Sequence, residues 1–436
     1  MISTAVDPIT LEVIRNGLLT AADEMKSVVL RTAYSQLWKE AGDLSCALLS
    51  TSGECVAQGS ADIPIHLPTM PYSFAGMIEK IPVDQMKPGD VYLHNDPFRG
   101  NNHLPDFFML KPVYAGETLL GFSAVRGHFI DVGGNGPGSY SSTAPDIQAE
   151  GFRIPPTRIW REGVRNEDLV ELLEMNLRNP HERIGDLNAQ YAGCNTGEQR
   201  LLALAEKYGA ETLLQSVEQI LDDSETVARK QIEEIPDGVY TFEDYCDGDG
   251  IDNTPFKIAC SVTVSGGSVA IDFDGTSKQT KGGMNMALSV CFAACVYAIK
   301  ALTDPDGPAN SGAYRAVYVT APEATVVNVA YPGAVVAGNH ETSARVADCV
   351  TGALAQALPD RVVAAGAGSS GVLVFGGNVD GEDFIRDEMH ASGQGSGQDA
   401  DGGNAHRVNL AKTGNIPVEA PRDVLPNDGP GELDHR

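Results

Sequence analysis

The residues able to do chemistry gather in two short stretches. The first is His94-Asn-Asp96-Pro-Phe-Arg-Gly100-Asn-Asn-His103-Leu-Pro-Asp106, and the second is Arg126-Gly-His128-Phe-Ile-Asp131. Between them, residues 107–113 and 118–124 have strand-like composition and are separated by Ala115-Gly116-Glu117. Folded as an antiparallel hairpin, positions symmetric about Glu117 come to face one another. Asp106 then meets His128, and His103 meets Asp131, so two His-x-x-Asp units converge at the open end of one hairpin. Imidazole and carboxylate together suit Zn, Mn or Fe(II), and two histidines with one carboxylate leave positions free for water or substrate. Pro105 keeps the first unit out of a helix interior, so its side chains project from a loop. Asp131 is read as a fourth ligand or as a carboxylate that orients one imidazole. Two readings stand beside the metal: loop residues bonded to backbone, or a His–Asp acid/base pair without an ion.

Other polar residues carry weaker signals. His66, in the proline-bounded segment Asp62-Ile-Pro-Ile-His66-Leu-Pro, either approaches the same site or is a satisfied structural histidine. Glu40 and Asp43, in Lys39-Glu-Ala-Gly-Asp43-Leu-Ser45, are candidate bases, with solvated surface carboxylates as the alternative. His94 reads as a strand end and Asp96-Pro97 as the start of a turn. Gly133-Gly-Asn-Gly-Pro-Gly138-Ser has the glycine content of a phosphate loop without its Lys-Ser/Thr end. Asp247-Gly-Asp-Gly-Ile-Asp252 lacks the spacing of a calcium loop. No Gly-x-Ser-x-Gly elbow announces a serine nucleophile.

Secondary structure must hold these residues in place. Asp7 and Pro8 open a helix whose apolar face is Leu11, Ile14, Leu18, Met25 and Val29. Residues 45–49 and 54–58 flank Thr51-Ser-Gly53 as a hairpin. The stretch 59–156, rich in Gly, Pro, Asn and His, reads as loops between short strands, the usual place for chemistry. Helical periodicity covers 167–177, 187–208 and 210–235, with Gly209 as a stop. Strands return at 238–245, 258–264 and 269–273, and helices at 286–302 and 342–358. The fold class is mixed α+β, with a loop-rich metal site on a β-hairpin. It divides into an N-terminal helix and loop-rich β region (1–160), a helical region (161–236), a second αβ region (237–420) and a frayed tail (421–436).

A net charge of −28 argues against nucleic acid and anionic membranes as partners. No apolar run is long enough to span a bilayer, and the first residues lack the pattern of a secretion signal. The eight cysteines show no metal-finger spacing and fit free thiols in a cytoplasmic protein. Cys291 and Cys295, four apart in an apolar run, read as one buried helix face.

Several segments taken together resemble the hydantoinase B family. They include Asp7-Pro-Ile-Thr-Leu-Glu-Val-Ile-Arg15, Gly42-Asp-Leu-Ser-Cys-Ala47, Ile65-His-Leu-Pro68, Asn95-Asp-Pro-Phe98, His103-Leu-Pro-Asp106, Gly127-His128 and Asp131-Val-Gly-Gly134. Further along come Glu150-Gly-Phe-Arg-Ile-Pro-Pro156, Arg183-Ile-Gly-Asp-Leu187 with Gln190, Ala337-Gly-Asn-His-Glu-Thr-Ser343 and Asn415-Ile-Pro-Val-Glu419. That family holds subunits of hydantoinases, 5-oxoprolinases, caprolactamases and acetone carboxylases. The resemblance implies a B-type subunit that works in a hetero-oligomer with an A-type partner. The partner holds ATP with Mg and phosphorylates the carbonyl oxygen of a small cyclic amide. It also implies a divalent metal on this chain, with His103, Asp106 and His128 at the ligand positions. Ring-opening hydrolysis is the first reading, ATP-dependent ketone carboxylation the second, and an inactive scaffold subunit the third. The third arises because members usually continue further, through a β-rich region with a glycine-rich end. Two local departures stand out. Gly100-Asn-Asn-His103 replaces Gly-Gly-Thr-His, and Gly338-Asn-His340-Glu-Thr342 replaces Gly-Asn-Val-Glu-Thr, adding an imidazole.

Overall fold

The computed structural model describes residues 6–389 except 61, 142, 363, 367, 369 and 370, together with 396 and 401. The tail expected at 421–436 lies outside the described residues. Helix α1 (Pro8–Thr32) begins as its sequence dictates: the Asp7 carboxylate accepts the Thr10 amide at 2.9 Å, and Pro8 occupies the first turn. Strands β1 (Leu44–Leu49) and β2 (Cys55–Gln58) form the expected hairpin. Helix α2 (Met70–Lys80) then interrupts the stretch read as loops. Pro71 in its first turn and a short length hide its periodicity, yet Met70, Phe74 and Met77 fall on one buried face.

Strands β3 (Val91–His94), β4 (Asp106–Ala115), β5 (Thr118–His128), β6 (Thr157–Arg161) and β7 (Val164–Arg165) complete a seven-stranded sheet in the order β2-β1-β5-β4-β3-β6-β7. The one-turn helix α3 (Ile147–Glu150) lies between β5 and β6. Strand β4 is buried on both faces, so its apolar residues run without alternation. Phe107, Met109 and Val113 face a core shared with α1, whereas Phe108 and Leu110 face α2.

Helices α4 (Glu167–Asn176), α5 (Pro180–Tyr208) and α6 (Ala210–Ile232) follow. Leu187 and Leu201 of α5 and Leu213 and Ile220 of α6 join the cluster of α1, β4 and β5. Helix α5 starts earlier than its apolar spacing suggests, because Pro180 opens it and its first turns bury Arg183 and Asp186 rather than hydrocarbon.

A second unit contains β8 (Gly238–Cys246), β9 (Phe256–Ser265), β10 (Ser268–Asp272), helices α7 (Leu288–Thr303) and α8 (Ser311–Tyr314), and β11 (Val317–Thr320). Its sheet runs β11-β10-β9-β8, with β10 and β11 parallel. Helices α7 and α9 (Glu341–Leu354) cover it and bury Cys291, Cys295 and Cys349. All eight cysteines are free. A hairpin of β12 (Val372–Val379) and β13 (Glu382–Met389) returns toward the first unit, setting Val374 against Gly138. Among the described residues no helix is long and apolar enough to cross a membrane.

Candidate metal centre

Asp106 opens β4, His128 closes β5, and the two are cross-strand partners. The register at the turn is different: Ala115 pairs with Thr118 and Tyr114 with Leu119. One step further Val113 pairs with Gly121, so Leu120 is an extra residue and the pairing shifts by one from there to the open end. Symmetry about Glu117 therefore holds at the site and fails at the turn.

His103 reaches this pair from the preceding loop. The Asn101 amide donates to the carbonyls of His103 (3.0 Å) and Asp106 (2.6 Å), folding the loop back on itself. His103 Nε2 lies 3.0 Å from Asp106 Oδ1 and 3.1 Å from His128 Nδ1, and His128 Nδ1 lies 3.1 Å from Asp106 Oδ1. All three side chains are buried. His103 Nδ1 faces the Val336 carbonyl at 3.1 Å. A carbonyl can only accept, so Nδ1 carries the hydrogen and Nε2 turns its lone pair to the cluster.

A proton joins only two of these three mutually facing atoms, whereas a cation satisfies all three. An ion about 2.1 Å from each donor would see edges of this length under roughly 90–95°, as three ligands on one face of an octahedron do; tetrahedral ligands would stand about 3.4 Å apart. Among the described residues, Asp106 Oδ2 has only His66 Nε2 near it, at 3.4 Å. The donor set and its spacing fit a divalent metal.

Electrostatics agree with that fit. Burial works against the Asp106 charge, but His103 and His66 outweigh it and hold the carboxyl well below the usual range. Burial likewise opposes a charged His103, yet the Asp106 carboxylate and the Val336 carbonyl raise its pKa overall. A metal bound here would compete with protons for the same donor atoms.

His66 joins the cluster, its Nε2 3.4 Å from Asp106 Oδ2. The Asp106 carboxylate can only accept, so His66 Nε2 carries the hydrogen, and Ser45 Oγ, 3.1 Å from Nδ1 and itself accepting the Ile63 amide, donates to that nitrogen. The Nε2 hydrogen is thereby directed at Asp106. Asp43 is buried beside them, 3.9 Å from His66 Nε2, and its carbonyl accepts the His128 amide. Burial, partly offset by His128 and reinforced by Asp106 and Asp387, pushes its carboxyl up to about 6.

Glu40 is not brought to the site: it is exposed and accepts from Gln36 Nε2 at 2.8 Å. Nor does Asp131 meet His103. Hairpin pairing ends at Asp106 and His128, and the chain beyond diverges. Asp131 instead accepts the amides of Gly133 and Gly138, each at 2.7 Å, and binds Arg178, which ties down the glycine-rich loop. Asp249 plays a similar part in its own loop, accepting four backbone amides with no calcium geometry. His94 ends β3 and faces the Ser73 carbonyl; burial, aided by Arg126, drives its pKa down to about 3.

Several residues at the site carry no spacing signal. Arg126 is fully buried and donates to the His66 carbonyl (2.9 Å), Asn102 Oδ1 (3.0 Å), Asn101 Oδ1 (2.9 Å), Thr69 Oγ1 and Ser73 Oγ. The Asn-Asn pair before His103 thus supplies acceptors for this guanidinium. Glu150 Oε1 accepts the amides of Val335 and Val336 at 2.8 Å, and so positions the carbonyl that orients His103. From the second unit, Asn339 Nδ2 approaches His103 Nε2 at 3.4 Å. Gly127 has no room for a Cβ, which would stand 2.2 Å from the Trp38 ring. The indole NH of that tryptophan donates to the His128 carbonyl at 2.6 Å.

The family model of hydantoinase B/oxoprolinase matches residues 7–423. The chain belongs to that family. Within it, an uncharacterized protein of Methanocaldococcus jannaschii is 36% identical over 85% of this chain and 66% of its own length. Caprolactamase subunit beta of Pseudomonas jessenii is 33% identical over 85% of this chain and 64% of its own length. The crystal structure of the ATP-dependent caprolactamase from that organism superposes with a TM-score of 0.84 at 31% identity, over 92% of this chain and 70% of the other. An acetone carboxylase structure superposes with a TM-score of 0.87 at 18% identity, over 96% and 58%, and shares the fold. The chain thus spans about two thirds of the hydantoinase B relatives it matches.

Proposed function

We propose that this chain is the B-type subunit of an ATP-dependent cyclic-amide hydrolase that opens a hydantoin, oxoproline or lactam ring. The observation that carries the reading is the convergence of His103 Nε2, Asp106 Oδ1 and His128 Nδ1 within 3.0–3.1 Å of one another in a family of such subunits. These three residues would hold a divalent zinc, manganese or iron ion. When bound, such an ion supplies Lewis acidity to a carbonyl and to water. His66 keeps Asp106 oriented, and Asp43, its carboxyl raised by burial to about 6, is a group able to accept a proton from water. ATP with Mg belongs to an A-type partner, which converts the amide oxygen into a phosphoryl leaving group. The working assembly is a hetero-oligomer.

Elemental analysis tests the site, and an activity assay tests the reaction. Wild-type protein is expected to carry about one ion per chain and Asp106→Ala none. With an A-type subunit and ATP, ring opening of hydantoin, 5-oxoproline or caprolactam is the expected activity. Bicarbonate-dependent ATP consumption with acetone and no ring opening would instead assign a ketone carboxylase. A chain that stays metal-free after reconstitution yet binds the partner would be a scaffold.

A further inference from the structure

Among the described residues, His340 is an imidazole beside the centre that the metal reading leaves without a task. It caps the N-terminus of α9 and is only 7% exposed. Its Nδ1 lies 2.9 Å from Glu341 Oε1. A carboxylate can only accept, so Nδ1 carries a hydrogen, and Nε2 is left to accept a proton or, once protonated, to give one. That Nε2 is buried and has no hydrogen-bond partner among the described residues. The preceding residue, Asn339, is 3.4 Å from His103 and also has an uncompensated buried oxygen, Oδ1. The Tyr140 ring stands 5.5 Å from the His340 ring, and 6.3 and 6.1 Å from those of His103 and His128. One phenol thus borders both the metal centre and the free imidazole. Burial first, then Asp387, Asp106, Asp43 and Glu341, keeps that phenol neutral.

We infer that His340 is a substrate-facing proton-transfer residue, oriented by Glu341 and walled by Tyr140, acting on the ring nitrogen of the cyclic amide. The inference rests on the cyclic-amide reading above. His340 Nε2 takes a proton from water as that water adds to the phosphoryl-activated carbon. It then delivers the proton to the ring nitrogen as the C–N bond breaks with its electron pair going to nitrogen. The acyl phosphate left behind is cleaved by a second water, whose proton passes to Asp43, to give carboxylate and phosphate, so the sequence balances with water and the phosphoryl group supplied by the partner. Among the described residues, the charged and titratable groups around it are Glu341, Tyr140, Asp387 and the cluster of His103, Asp106, His128 and Asp43. A paired imidazole with one free nitrogen is the arrangement general acid–base catalysis uses.

The test uses the full chain, metal-loaded, with isotopically labelled histidine rings and hydantoin as the probe. His340→Gln assigns the ring signal, and unchanged metal content shows that the centre survives the substitution. The expected spectrum has the hydrogen on Nδ1 and an Nε2 resonance that moves on adding hydantoin. In the active assembly, His340→Gln lowers kcat by about 10²–10³-fold with KM little changed, and the pH–rate profile loses a limb. Glu341→Gln, which frees the ring to turn, gives a smaller loss with the profile shifted. A hydrogen found on Nε2, or a His340 signal silent while those of His103 and His128 move, overturns this inference alone. Ring signals that all stay fixed at saturating hydantoin overturn the cyclic-amide reading together with it.

Discussion

Asp106 and His128 face each other only because Leu120 is left over between two registers of the same hairpin. A tight two-residue turn dictates one pairing, and the bulge at Leu120 replaces it with another eight residues before the site. A one-residue slip in a strand exchanges its faces. Without the bulge His128 would turn away from Asp106.

Gly121 is therefore a stability position distant from the chemistry. Its φ is +142°, and a Cβ there would stand 2.3 Å from the Leu49 carbonyl oxygen. Gly121→Val is expected to destabilise the fold by about 2–4 kcal/mol, through strain and a forced shift of β1. Urea denaturation measures this, and a change under about 0.5 kcal/mol would mean that the bulge has no grip on the register.

Removing ligands should separate metal from fold. His103→Ala and His128→Ala lose the ion and turnover while circular dichroism stays native. His66→Ala retains the ion with affinity reduced about 10–100-fold, the loss typical of a group that orients a ligand. Full activity in either of the first two variants would refute the assignment. Because His103 is raised above the ordinary histidine range, protons compete with the metal there. Affinity should climb as pH rises through and above the ordinary histidine range in chelator competition.

Glu150 supplies a pH signature. Burial, only partly offset by the Val336 and Val335 amides, pushes its carboxyl up to about 7. A carboxyl raised on folding contributes stability that is complete below its unfolded pKa of about 4.3 and is lost as pH rises through the folded value. Metal-free protein should lose on the order of 3 kcal/mol from this group between about pH 4.5 and 7.5, and Glu150→Gln should flatten that slope. Parallel denaturation curves for the two proteins at both pH values would contradict the assignment.

Arg126 holds the ligand loop by five hydrogen bonds to uncharged oxygens. Arg126→Met leaves those acceptors buried and unsatisfied, at a cost of about 3 kcal/mol or more. Metal occupancy should fall with it, since Asn101 and Asn102 lose their anchor. Thermal melting and elemental analysis on one sample check both effects.

Asp131→Asn should leave metal content unchanged. It weakens the tie to Arg178 and to the loop amides, for a loss of about 1–3 kcal/mol. Loss of the ion in this variant would restore Asp131 as a ligand.

The sequence by itself determined the elements with strong periodicity and the local chemistry of the hairpin. Helix α1, with Asp7 and Pro8 at its start, follows from nearest-neighbour rules, as do the strands around Glu117. The convergence of Asp106 and His128 was legible because pairing across one hairpin is a local constraint. Tertiary structure alone decided the rest. Helix α2 forms because Met70, Phe74 and Met77 find a buried sheet face, which its short sequence opening on Pro71 does not announce. Asp131 left the site because pairing stops where the loop carrying Pro105 takes the Phe129 amide. Arg126, Glu150 and His340 gained their places through partners tens to hundreds of residues away. Such contacts depend on how two sheets and their helices close on one another. No spacing along the chain encodes that distance.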